Sequence, residues 1–188
     1  MASTGVRVAE RLAERGLTIP PPQVVPAGVR LTYRRLVRWQ NVAYIAGHGP
    51  TDGEGWGSAL GKVGRDVTVE EAVAAARLTA LNVLGTIARE LGSLDGIACW
   101  LKINGYVNAV DGFTEHATVI NGFSDLILDL YGQDRLADGR PRGEAILAES
   151  RSSPEPNVGS ASPARRRSSP PARASPASTF RAATCRRP

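Results

Sequence analysis

"TVEEAVAAARLTALNVLGTIARELGSLDGIACWLKINGYVN" runs from Thr68 to Asn108 and changes its periodicity once, near Gly92. Before the change, Val73, Ala76, Ala80, Leu84, Ile87 and Leu91 recur at helical spacing. Thr68 and Glu71 stand in the Thr-x-x-Glu relation of a capping box, each side chain able to satisfy the other's backbone amide. Gly92 supplies the stop, because glycine takes the left-handed conformation of a helix end at little cost. After the change the pattern alternates. Cys99, Leu101, Ile103 and Val107 fall on one face, and Trp100, Lys102, Asn104 and Tyr106 on the other. That is a strand with one core face and one mixed face. The many alanines of the helix let it lie close against such a sheet.

Upstream, "VRLTYRRLVRW" and "NVAYIAG" read as strands over Val29 to Trp39 and Val42 to Gly47, joined by a tight turn at Gln40-Asn41. The second is apolar on both faces, which predicts a central strand covered on both sides. It runs into His48 and a glycine-rich loop reaching Asp66. Earlier still, "VRVAERLAERGL" forms an amphipathic helix with Gly16 near its end, followed by the proline-stiffened "TIPPPQVVPAG". Downstream, Asp111 can cap a helix whose Phe113, Val119, Phe123, Leu126, Ile127 and Leu130 face the core and which Gly132 closes.

The order helix, strand, strand, helix, strand, helix calls for a further strand, since the last helix needs a sheet beneath it. From Gln133 the composition instead turns rich in Arg, Pro, Ser and Ala. Residues 133–188 are therefore expected to be a low-complexity, disordered tail, in which only "AILAE" could add a turn of helix or a short strand. Residues 1–132 form the domain, with 1–19 an N-terminal helix and 20–132 the core.

Charge divides at the same place. Residues 1–134 carry 12 Lys+Arg against 14 Asp+Glu, a balance of −2, and residues 135–188 carry 11 against 4, or +7. The basic character belongs to the tail. Arg165, Arg166 and Arg167, with Arg173, Arg181, Arg186 and Arg187, could attract nucleic acid. Only Phe180 interleaves with the tail arginines, so no stacking platform exists and a solvated tail is the simpler reading. Cys99 and Cys185, far apart in sequence, make no disulfide framework and suit a reducing compartment. No run approaches the roughly 18–20 apolar residues of a membrane span. A soluble, cytoplasmic protein is expected.

The stretches "VAYIAGHGPTDGEG", "GKVGRDVTVEEAVAAARLTALNVLGTIARELGSLDGI" and "LKINGYVNAVDGFTEHATVINGFSDLILDLYG" resemble the RidA/YjgF family. Ala46-Gly47-His48-Gly49-Pro50 stands where the family has Ser-Gly-Gln-x-Pro, and Tyr33 stands thirteen residues before Ala46, where the family keeps a binding-site tyrosine. Asn82, Gly92, Phe113 and Asn121 match as well, and the N-terminal "ERLAERGLTIP" points to a subgroup with an extra helix. The resemblance implies a chorismate mutase-like α/β (α+β) subunit, a mixed sheet with helices packed on one face, assembled as a homotrimer with clefts between subunits. It implies hydrolytic deamination of reactive enamines and imines, with an arginine holding the substrate carboxylate and a glutamate positioning water. The family's last two strands, which carry those residues, have no counterpart pattern after Gly132. They are expected to be missing or replaced, as a divergent or frame-shifted C-terminus would give.

Candidate cleft residues are Tyr33, Gly47, His48, Asn104 and Tyr106. Tyr33 is the strongest, and Asn104 and Tyr106 share the mixed face of their strand with Trp100, which a neighbouring subunit would cover. His48 reads first as a turn residue bonding nearby backbone and second as a cleft donor. His116 reads as a solvated surface residue. Glu70 and Glu71 are explained by capping and the helix dipole. The histidines and cysteines lack ligand spacing, so neither a metal nor another cofactor is called for. Beside the deaminase stand two alternatives: a non-catalytic trimer binding a small carboxylated metabolite, and an RNA-binding, endoribonuclease-like protein.

Overall fold

The structure is a computed structural model describing residues 7–23, 25, 28, 30–52, 59–132, 146–148 and 178–186, the last two stretches through their backbone. In chain order its elements are α1 (Val8–Glu14), β1 (Leu36–Trp39), β2 (Val42–His48), α2 (Val69–Leu91), β3 (Ile97–Val107), α3 (His116–Tyr131), β4 (Ile146–Ala148) and β5 (Ser178–Arg186). The five strands form one mixed sheet in the order β1-β2-β5-β3-β4, antiparallel except for the β3–β4 pair. The fold is α+β, with α2 and α3 against one sheet face and α1 packed on α3.

The helix that opened the sequence reading forms as its signals require. Thr68 Oγ1 accepts from the Glu71 amide at 3.1 Å, and a Glu71 carboxylate oxygen accepts from the Thr68 amide at 2.8 Å. Gly92 ends α2 at φ 77°. By length and composition α2 could cross a membrane, but 67% of its most apolar window is buried within the fold, which accounts for that apolarity. Its inward residues Ala76, Ala80, Leu84 and Ile87 are fully buried, as are Phe123, Leu126 and Leu130 of α3. The two helices touch where Gly122 meets the Val73 carbonyl, so closely that a Cβ on Gly122 would collide with it.

Several expectations are corrected. Asp111 does not cap α3, which starts five residues later at His116 with no side-chain cap, because Gly112 turns the chain at φ 79°. β1 is shorter than expected, and β2 is internal to the sheet yet covered on one face alone, since Tyr44 is 54% exposed. Trp100 leaves the mixed face. β-Bulges at Ala98 and Leu101 reset the alternation of β3, so that Ile97, Trp100 and Ile103 all turn inward and Leu101 outward. Trp100 is buried edge-to-face on Tyr131 at 5.7 Å.

The largest correction concerns the C-terminal third. Within the segment expected to be a disordered tail, Ser178–Arg186 forms β5 in the middle of the sheet, whereas Ile146–Ala148, inside the "AILAE" that could add a short strand, forms the edge strand β4. Two strands therefore follow α3, the number the resemblance implies. The remainder of 133–188, with Arg165, Arg166, Arg167 and Arg173, lies outside the described residues.

Candidate functional site

The hairpin β1–β2 turns at Gln40, held at φ 51°, and leaves its outward side chains uncovered: Val37, Trp39 and Tyr44. Beside them Tyr33, Arg34, Val37, Tyr44, Ile45, Ala46 and Gly47 line an open groove of about 540 Å³. Tyr33 is 52% exposed. Among the described residues Arg34 has no ion-pair partner. A guanidinium in a groove that two phenols also line suits a small anion with an unsaturated or apolar body, because the planar fork matches a carboxylate's two oxygens.

The floor of the groove is a β-bulge. Ile45 pairs with Ala182 and His48 with Phe180, so three steps along β2 answer two along β5. The extra residue keeps both Ile45 and His48 on the inward face, which strict alternation forbids. His48 is thus 5% exposed and is absent from the groove lining. Its Nδ1 lies 2.8 Å from the Ala46 carbonyl and its Nε2 2.7 Å from Thr86 Oγ1. The carbonyl can only accept, so Nδ1 carries the hydrogen and the Thr86 hydroxyl donates to Nε2. Burial pushes the His48 pKa down, the Ala46 carbonyl opposes that, and Arg35 and Arg89 lower it further. His48 is a neutral buttress that fixes the Ala46 carbonyl from behind.

Asn82 anchors the next stretch of loop. Its buried Nδ2 donates to the Thr51 carbonyl at 2.7 Å and lies 3.3 Å from that of Gly49, tying the chain after β2 to α2. A lone amide on the apolar face of a helix was the legible signal for that bond.

Across the sheet, the pairing of β5 draws the remaining candidates towards the groove. Asn104 of β3 stands opposite Arg181, and Tyr106 opposite Thr179. On the other side of β5, Arg181 lies between the residues paired with Ile45 and His48, level with the Ala46-Gly47 bulge. Gly47 and Asn104 therefore flank the same residue of β5. Asn104 and Tyr106 are half-buried on the outward side. Arg34 is the cation that reading the sequence missed, because it sat in an unremarkable basic run, and Arg181, read as one of the tail arginines, belongs instead to a strand level with the bulge.

At the far end of β3, Val107, Ala109, Val110, Asp111, Gly112, Phe113 and His116 line a second groove of about 330 Å³. His116 is half-buried there, edge-on to Phe113 at 4.9 Å, rather than solvated. Asn108 Nδ2 donates to the Gly61 carbonyl at 2.8 Å and holds the glycine-rich loop beside this end. Among the described residues no group of three or more His, Cys, Asp or Glu could hold a metal.

Comparison with known proteins agrees with the fold. Residues 52–140 match the family model described as "YjgF/chorismate mutase-like, putative endoribonuclease". Protein TCP17 of Trypanosoma cruzi is 35% identical over 128 residues, covering 68% of this chain and 77% of TCP17. Among solved structures, Atu1372 of Agrobacterium tumefaciens is 29% identical with a TM-score of 0.69, covering 97% of this chain and 93% of its own. A "putative endoribonuclease" of Shewanella oneidensis shares the fold at 21% identity and the same TM-score, covering 95% of this chain and 98% of its own. The chain belongs to the YjgF/chorismate mutase-like family.

Proposed function

We propose that this protein binds small carboxylated imines or enamines in clefts shared between subunits of a homotrimer and hydrolyses them to the carbonyl compound and ammonia. The observation that carries the reading is the outward strip in which Tyr33, Arg34 and Tyr44 adjoin the Ala46-Gly47 bulge, with Arg181 and Asn104 next along the register. The strip is open, and an adjacent copy would supply the missing wall. Arg34 would take the carboxylate, and Arg181, level with the bulge by strand register, would add a second cation to that side of the sheet. The backbone at Gly47, fixed through Ala46 by His48, and the Asn104 amide would orient the C=N carbon.

The chemistry asks for little. Water adds to the electrophilic carbon, the nitrogen is protonated, and the carbinolamine expels ammonia. Orientation and proton transfer through tyrosine hydroxyls and water are what the site must provide. A cytoplasmic setting goes with this reading, because such short-lived intermediates must be met where they form.

One observation favours a binding protein without catalysis as the second reading: among the described residues no carboxylate lines the groove, and neither β4 nor β5 contains a glutamate. The test is ammonia release from 2-iminopropionate generated in situ, comparing the wild type with Arg34→Gln and Tyr33→Phe. Hydrolysis above background with a raised KM in Arg34→Gln supports the deaminase. Background rates together with carboxylate binding would leave the second reading. Steeply salt-dependent RNA binding in place of both would favour the endoribonuclease-like alternative.

A further inference from the structure

Cys99 and Cys185 are the two cysteines of the chain. The antiparallel pairing of β3 with β5 sets them directly opposite one another. Opposed residues of such a pair share a face, with Cα atoms about 4.5–5.5 Å apart. A disulfide spans Cα separations of about 4.4–6.8 Å, so the register brings the two residues within bridging distance. The register is also pinned locally. Cys99 and Trp100, paired with Cys185 and Thr184, are the in-step positions between the two bulges of β3, so slippage would have to undo both. Cys99 is half-buried, within reach of a small oxidant.

We infer that Cys99 and Cys185 are an oxidisable thiol pair whose disulfide fastens the C-terminal strand into the sheet. A small disulfide such as oxidised glutathione serves as oxidant. One protein thiolate attacks it, forming a mixed disulfide and expelling one glutathione thiolate. The second protein thiolate then attacks the protein sulfur of that bond and expels the other glutathione. The two cysteines lose two electrons and two protons, and the oxidant leaves as two thiols. The consequence is structural. β5 joins the β1–β2 hairpin to β3, and it reaches the sheet at the end of the chain from across a long connection. While oxidised, a covalent tie at its far end closes that long loop, which removes conformations from the unfolded chain.

The full-length protein is equilibrated in glutathione buffers of graded ratio, alkylated and digested with trypsin without reduction. The expected product is the peptide 90–102 (ELGSLDGIACWLK) joined to 182–186 (AATCR). The oxidised wild type should also unfold at a higher denaturant midpoint than the reduced protein, a difference that Cys185→Ser abolishes. Recovery of both cysteines only as separate alkylated or glutathionylated peptides would overturn the inference. So would linkage only between chains, or a crosslink that leaves the midpoint unmoved.

Discussion

The two faces of the sheet are made from the same strands and have opposite fates. Inward, Ile45, Ile97, Trp100, Ile103 and Val107 are buried under α2 and α3. Outward, Trp39 is 69% exposed, with Val37, Tyr44 and Leu101 beside it, and no element of the described residues covers them. Burial of apolar side chains stabilises at about 25 cal/mol per Å² removed from water, so an uncovered aromatic strip forgoes what the inner face gains. Contiguous exposed apolar surface of this kind marks an interaction site. The inner face folds the chain, and on the proposed function the outer face, with the candidate site along it, is what it would offer to other copies.

Substitutions should respect that division. Phe123→Ala, at the fully buried contact of α3, should cost about 3–5 kcal/mol of unfolding free energy by denaturant titration. A loss below about 1 kcal/mol would mean that the inner face is not the core. Gly122→Ala should cost about 1–3 kcal/mol, because the new methyl meets the Val73 carbonyl and the helices must separate. Asn82→Ala should cost about 1–3 kcal/mol by stranding the buried Thr51 carbonyl, and hydrogen exchange should show the loop after β2 loosening selectively.

Acidification probes the buttress between the faces. The His48 pKa is lowered from 6.5 in the fold, so its unfolded form binds protons more readily. Stability from this group is fully present above pH 6.5 and is lost as pH falls towards and through the folded value. His48→Gln should flatten that part of the stability profile, and an unchanged slope would assign it to other groups. At the bottom of the scale, Tyr44→Ser should change the folding free energy of an isolated subunit by no more than about 0.5 kcal/mol, as for an exposed position.

Most local signals in the sequence were read correctly, the expected Asp111 cap being the exception. The capping box, the Gly92 and Gly132 stops, the Gln40 turn and the inward stripe of α2 all follow from nearest-neighbour hydrogen bonds and periodicity. Bulges defeated the alternation rule in β3, where they turned Trp100 inward, because one inserted residue inverts every face assignment beyond it. β5 was illegible for another reason. "STFRAATCR" has small and polar residues where a central strand normally has Val or Ile, and its partners lie on strands far back in the sequence. The missed pairing also hid the opposition of Cys99 and Cys185 and the place of Arg181 beside Gly47 and Asn104. Of the site, Tyr33 and Gly47 were read from the resemblance and line the groove, whereas Arg34 carried no signal of its own.

The solution mass of the full-length protein, by light scattering, tests the central claim most directly, measured beside Trp39→Lys and Tyr44→Lys. The account predicts a wild-type mass of three times the 19.9 kDa chain, and collapse of both variants to a folded single chain. A wild type that melts cooperatively as a 19.9 kDa monomer, or lysine variants that keep the wild-type assembly, would contradict it.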